Sequence, residues 1–161
     1  MTTSPTTSDQ AWLREAIDLA TKNVADGGGP FGAVIIRDGR VIATGTNQVT
    51  HLLDPTAHAE IVAIRAACQA IGDFKLTGCV LVSSCEPCPL CISAALWARV
   101  DRVVFAADRD DAAAAGFDDR EFYELFSKPR EAWSLPVDRV GTDVDNAPFA
   151  AWQSRSDRVD Y

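Results

Sequence analysis

AHAEIVAIRAACQAIGDFKLTGCVLVSSCEPCPLCISAALWARVDRVVFAA, residues 57–107, is the stretch that decides the fold. Its first part, to Gly72, reads as a buried helix, because apolar residues recur at helical spacing and glycine can end it. CVLVSS (79–84) is a short apolar strand with no helical period. PLCISAALWARV starts a second helix just past Pro87, and RVVFAA (102–107) reads as another strand. Strands alternating with helices predict parallel pairs in the centre of a sheet covered by helices, an α/β architecture.

Working outward, AVIIRDGRVIATG (33–45) is a hairpin: two β-branched runs flank Asp38-Gly39, a strong two-residue turn signal. It gives the sheet an antiparallel edge. Upstream, Leu13, Ile17, Ala20 and Val24 fall near helical spacing, with Ser8 or Asp9 to cap the start and Gly27 to end the helix. Residues 1–8 are polar, without basic residues or an apolar run, and read as a disordered lead-in rather than a secretory signal. Residues 9–161 are then one domain, as 161 residues suggest. Beyond residue 108 the pattern weakens. A helix is expected at 118–127, with Phe122, Leu125 and Phe126 on one face, then a short strand near 137–141 and a last helix near 147–156.

The formal charge of −8, with Arg and Asp interspersed and no Lys/Arg cluster, disfavours nucleic acid as a partner. No run resembles a membrane span. Five cysteines, three of them close together, fit a reducing, cytoplasmic setting with thiols free for metal rather than a disulfide framework.

Two short pieces carry chemistry: His58-Ala59-Glu60 and Cys88-Pro89-Leu90-Cys91. Thiolates three residues apart lie one helical turn apart and can share one tetrahedral metal. A helix N-terminus favours their negative charge. Two thiolates and an imidazole suit zinc. Three protein ligands leave a fourth position for a water whose pKa the metal lowers, and Glu60 can move that water's protons if the site sits at the helix end. Other readings stand beside this one. The CxxC piece alone fits a redox motif, and Cys85 with Cys88, Cys91 and His58 would make a closed structural site. The two pieces together match the H-x-E…P-C-x-x-C signature of zinc deaminases.

With these residues the chain resembles the cytidine deaminase superfamily. Through GGPFGAVI (28–35), DPTAHAE (54–60), SCEPCPLC (84–91) and AGFDD (115–119) it is similar, more narrowly, to the bacterial guanine deaminases. The resemblance implies a three-layer α/β/α fold with a five-stranded mixed sheet and one zinc per subunit. It implies hydrolysis of guanine to xanthine and ammonia, with a nucleobase and water as partners. It also implies a homodimer whose C-terminal segments, from about residue 118 to 161, are exchanged. By matching position, Asn47 would hydrogen-bond the base, Phe31 would wall it and Ala59 would contact it. Asp119 would recognise the purine and help protonate the leaving amine, and Tyr161 would close the partner's site. Trp133 and Trp152 would anchor the exchanged tail. Each has a plainer role available: Asn47 to backbone, Phe31 in the core, Asp119 as a helix cap, Tyr161 at a loose end. The alternatives in substrate are guanosine, cytosine or a triazine such as ammeline, and more remotely a tRNA adenosine. A zinc-stabilised dimer without activity is a different class of answer.

Overall fold

β1 (Gly32–Arg37) and β2 (Arg40–Thr46) form the expected hairpin, with φ of 51° at Asp38 and 71° at Gly39. Both are positive, as the two-residue turn that matches strand twist requires. The pairing shifts between Ile35 and Ile36, so Ile42 of β2 is an extra, bulged residue. β1 also pairs antiparallel with β3 (Cys79–Cys85), and β3 pairs parallel with β4 (Arg102–Ala107), giving the order β2-β1-β3-β4.

Among the described residues the sheet therefore has four strands rather than five, and its one parallel pair lies at an edge rather than at the centre. The segment at 137–141, expected as a strand, has none. Its sequence VDRVG places its two valines three apart, so they cannot share one face of a strand, and Pro136 before it lacks a donor.

The computed structural model describes residues 7–161. Of the lead-in expected over residues 1–8, residues 1–6 lie outside the described residues, while Thr7 and Ser8 already belong to α1 (Thr7–Ala25). Helices cover both faces of the sheet. Val34 and Ile36 of β1 pack with Ala16 of α1 and with Val82, whereas Ala33 and Ile35 pack with Ala63, Ala67 and Ala95 on the other face. Alternate residues thus enter different cores, which is why AVII reads as a continuous apolar run. On that second face lie α3 (Ala59–Ile71) and α4 (Pro89–Trp97), separated from β2 by the one-turn α2 (Val49–Leu52). Gly72, with φ 74°, ends α3 as its sequence predicts.

Close approach decides where α3 begins. A Cβ at Gly45 would overlap the carbonyl of Ala59 and lie 2.5 Å from the Ala63 nitrogen. The start of α3 is thereby pressed onto β2. At the other end of the sheet, the buried Asp9 of α1 accepts hydrogen bonds of 3.2 and 2.8 Å from the Arg102 guanidinium, pinning α1 to β4.

Past β4, a helix absent from the sequence reading, α5 (Arg109–Ala114), opens on a capping box. Asp108 accepts from the Asp111 backbone N–H, and Asp111 accepts from that of Asp108. Next, α6 (Arg120–Ser127) crosses the boundary between two compact units, Met1–Phe122 and Tyr123–Tyr161. The second unit holds a 3₁₀ turn at Arg130–Ala132 and α7 (Ala147–Ser154), close to the helix expected at 147–156. In it the Trp133 indole donates to the Lys128 carbonyl (3.1 Å), and its ring meets Phe126 edge-on with centroids 5.6 Å apart.

Candidate active site

His58 is the N-cap of α3, with extended backbone (φ −65°, ψ 155°), and Cys88 is the N-cap of α4 (φ −63°, ψ 170°). Ideal helical spacing would point residues 58 and 60 apart. Because His58 stands outside the helix, its imidazole and the Glu60 carboxylate turn to the same place. The His58 Nδ1 lies 3.5 Å from the Cys88 Sγ and 3.5 Å from the Cys91 Sγ, and the two sulfurs are 3.6 Å apart. Tetrahedral zinc, with Zn–S of about 2.3 Å and Zn–N of about 2.0 Å, spaces sulfurs by about 3.8 Å and nitrogen from sulfur by about 3.5 Å. The three side chains fit one zinc ion.

The protons of this group suit the same conclusion. The Cys91 thiol and His58 both stabilise charge on Cys88, which is pushed down to about 4. Cys91 is shifted up, because its proton is shared with the Cys88 sulfur and because it is buried next to Glu60. His58 is shifted up by its hydrogen bond to Cys88. A thiolate, a thiol and an imidazole gathered around shared protons are what a metal site holds before a cation replaces those protons.

Cys85 takes no part. Its Sγ donates to the Asp108 carbonyl (3.6 Å), and burial pushes its thiol up to about 11. Among the described residues the metal-holding group is His58, Cys88 and Cys91, so the closed four-ligand alternative fails.

Glu60 is 5% exposed. Its Oε1 accepts from the Ser83 hydroxyl (2.9 Å), and its Oε2 accepts from the Cys91 thiol (3.3 Å). Burial raises its pKa, which suits a group that must hold a proton and release it again. Ser83, fully buried on β3, went unnoticed in the sequence. The signal was there, since a polar residue inside an apolar strand needs a buried partner.

The group opens on a cavity of about 450 Å³, large enough for a small heterocycle. Phe31, Asn47, Phe117 and Asp119 line it beside His58, Glu60 and Cys88. Phe31 meets Phe117 edge-on with centroids 5.0 Å apart. The Asn47 Oδ1 accepts from the Val49 N–H (3.3 Å), which fixes the amide so that its NH2 remains for a ligand. Asp119 caps nothing with its side chain: Asp118 accepts from the Arg120 N–H instead. The Asp119 Oδ1 is buried without a hydrogen-bond partner, an unusual state for a carboxylate and one that a ligand donor would relieve. Burial first, and then the Cys88 charge, raise its pKa.

Ala59 is packed in the core rather than in the cavity wall. Tyr161 belongs to the second unit and is exposed. Two charged wall residues had no counterpart in the sequence reading. Glu86 and Arg109 form a bidentate ion pair, which holds the Glu86 carboxyl below the usual range. The parallel register of Cys85 against Ala107 brings these two together, so the pair becomes visible only once the strands are paired.

Residues 6–107 match the cytidine and deoxycytidylate deaminase zinc-binding region. The chain belongs to this zinc-dependent deaminase family. Within it, the chain is 46% identical to the guanine deaminase of Bacillus subtilis (strain 168), over 94% of this chain and 98% of that one. The X-ray structure of that enzyme has a TM-score of 0.92 to this fold, with the same coverage. A guanine deaminase structure from Nitrosomonas europaea shares 34% identity at a TM-score of 0.66, covering 73% of this chain and 68% of that one. The tRNA-specific adenosine deaminase of Bacillus subtilis is 40% identical over 63% of each chain. The part of the chain matched by the family, residues 6–107, holds the metal group at two helix starts and the carboxylate of Glu60 within reach of it.

Proposed function

We propose that this deaminase acts on a free purine base, converting guanine and water to xanthine and ammonia. The observation that carries this reading is the cavity wall: a fixed Asn47 amide and the partnerless Oδ1 of Asp119 belong to the same small space as the metal group. Guanine offers both carbonyl and ring-nitrogen acceptors and N–H donors, so it can satisfy both. Support comes from likeness to a guanine deaminase over nearly the whole chain, whereas the adenosine deaminase match covers less than two thirds.

Zinc held by His58, Cys88 and Cys91 would supply a water whose pKa is brought toward neutrality. Glu60 removes a proton from the attacking water and delivers it to guanine N3 while the oxygen adds to C2. Glu60 then passes the remaining proton to the exocyclic nitrogen as the C2–N bond breaks, with Asp119 assisting. Asn47 donates to an acceptor of the base, and Phe31 stacks or abuts its ring. These are neutral and charge-assisted hydrogen bonds in a cavity whose chemical end is buried, where each counts for more.

In a coupled assay, zinc-loaded protein is expected to release ammonia from guanine with xanthine as the product. Turnover of guanosine, cytosine or ammeline in place of guanine would overturn the substrate assignment. The net charge of −8 argues against tRNA in the same role.

The homodimer with exchanged C-terminal units belongs to the same proposal, as does a cytoplasmic location for residues 9–161 acting as one deaminase domain. What supports exchange is that Tyr123–Tyr161 is a separate compact unit with apolar residues such as Phe149 exposed. No helix among the described residues is long and apolar enough to cross a membrane. Removing Tyr161 is expected to lower activity by about tenfold with little change in Tm, as loss of a single substrate-covering contact does. Unchanged kinetics would refute the role of Tyr161 as a lid.

A further inference from the structure

Asn23, in the last turns of α1, lines no part of the cavity, yet it holds two of the residues that do. Its side chain is 5% exposed, and its amide hydrogen-bonding capacity is engaged. The Nδ2 donates to the Gly29 carbonyl (2.8 Å) and to the Asn47 carbonyl (2.9 Å), while the Oδ1 accepts from the Gln48 Nε2 (3.4 Å). The Gly29 carbonyl also accepts from the Phe31 N–H (2.9 Å), and the Phe31 carbonyl accepts from the Asn47 N–H (3.1 Å). One buried amide therefore closes a ring through Gly29, Phe31 and Asn47.

Neighbouring glycines fit this arrangement. A Cβ at Gly28 would overlap the Asn23 amide, with the Asn23 Cγ 2.7 Å away, and a Cβ at Gly29 would lie 3.0 Å from the Asn47 Cγ. The Gly28–Gly29 backbone runs directly over both amides, and only residues without side chains let it do so. Gln48 extends the network: its Nε2 also donates to the Thr46 hydroxyl (2.8 Å) at the end of β2.

We infer that Asn23 is a positioning residue for substrate binding: its two donated hydrogen bonds set Phe31 and Asn47 at the distance and angle that a planar heterocycle needs. The role rests on the reading of this cavity as the base pocket, but it does not depend on which base enters. Glu60 and the metal group are held from other elements, β3, α3 and α4, so Asn23 acts on binding rather than on the chemical step.

Asn23→Asp is the direct test. It keeps the shape and the acceptor, removes both N–H donors and sets an oxygen against two carbonyls. With guanine as substrate, KM is expected to rise about tenfold, equivalent to one lost hydrogen bond, while kcat stays within about threefold and one zinc is retained. Because the buried charge can impair folding, Asn23→Ala is measured alongside, with the same split expected. Val82→Ala, which opens the core under α1, serves as a control for stability loss alone and is expected to lower Tm without raising KM. Hydrogen exchange gives a readout without turnover: amides from Gly29 to Val49 should exchange faster in Asn23→Ala, while those of β3 stay unchanged. An unchanged KM, or a loss confined to Tm as in Val82→Ala, would overturn the inference. If the wild type deaminates cytosine and not guanine, the substrate reading fails, and the same KM comparison on cytosine decides the role of Asn23.

Discussion

Glu60→Gln is expected to lower kcat by about 10³-fold or more while leaving one zinc bound per chain, since positioned acid–base groups contribute roughly 10²–10⁴ each. The substitution is nearly isosteric. The Ser83 hydroxyl can still donate to the side-chain oxygen, so the change removes proton affinity and charge more than shape. The wild-type carboxyl is 5% exposed, and that burial raises its affinity for a proton. A glutamine amide in the same place has no proton to exchange at any working pH. Since Glu60 serves both proton transfers, losing it should affect addition and amine departure together, and KM for guanine should move far less than kcat. Metal analysis and steady-state kinetics on the same preparation check this. A variant that keeps kcat within tenfold of wild type would remove Glu60 from the chemistry. A variant that loses its zinc would instead make Glu60 a support for Cys91, whose sulfur lies 3.3 Å away.

What could be read in advance follows from which constraints are local. His58, Glu60, Cys88 and Cys91 announce themselves because metal ligation restricts residue type and short spacing at once. The hairpin at Asp38-Gly39 is equally local, since two positive φ angles in succession demand such residues. Ser83, Glu86, Arg109 and Asn23 are not legible in advance because each acts on a residue 23 or 24 positions away and becomes meaningful only after the strands pair and α1 docks. The capping box of α5 is legible as Asp108…Asp111, although the run of alanines that follows gives no amphipathic period to mark a helix. The fifth strand was expected twice, as a short strand near 137–141 and as part of the sheet the resemblance implies, yet VDRVG lacks the alternation that would support it. The sheet edges themselves depend on long-range pairing: nothing in CVLVSS says that its neighbours are β1 on one side and β4 on the other.

Cys91→Ala is expected to abolish both zinc retention and activity, while Cys85→Ala keeps one zinc and measurable turnover. The two thiols are alike in residue type and close in sequence; geometry separates them. The Cys91 sulfur lies 3.5 Å from His58 and 3.6 Å from Cys88, whereas the Cys85 sulfur turns to the Asp108 carbonyl. Removing one of three protein ligands lowers zinc affinity by about 10³-fold or more, given that even outer-shell partners are worth 10–100-fold. Proton release provides an independent check. Cys88 is held well below the usual thiol range by Cys91 and His58 while Cys91 is shifted up, so the two sulfurs share a proton that a cation displaces. His58, shifted up as well, must also be neutral to ligate through Nδ1. Zinc added to the metal-free wild type at pH 7 should therefore release at least one proton per ion, and lowering the pH should weaken binding, because every ligand competes with protons in the same direction. Zinc uptake without proton release would mean that Cys91 is not a ligand. The three-ligand site on which the deaminase reading depends would then have no basis.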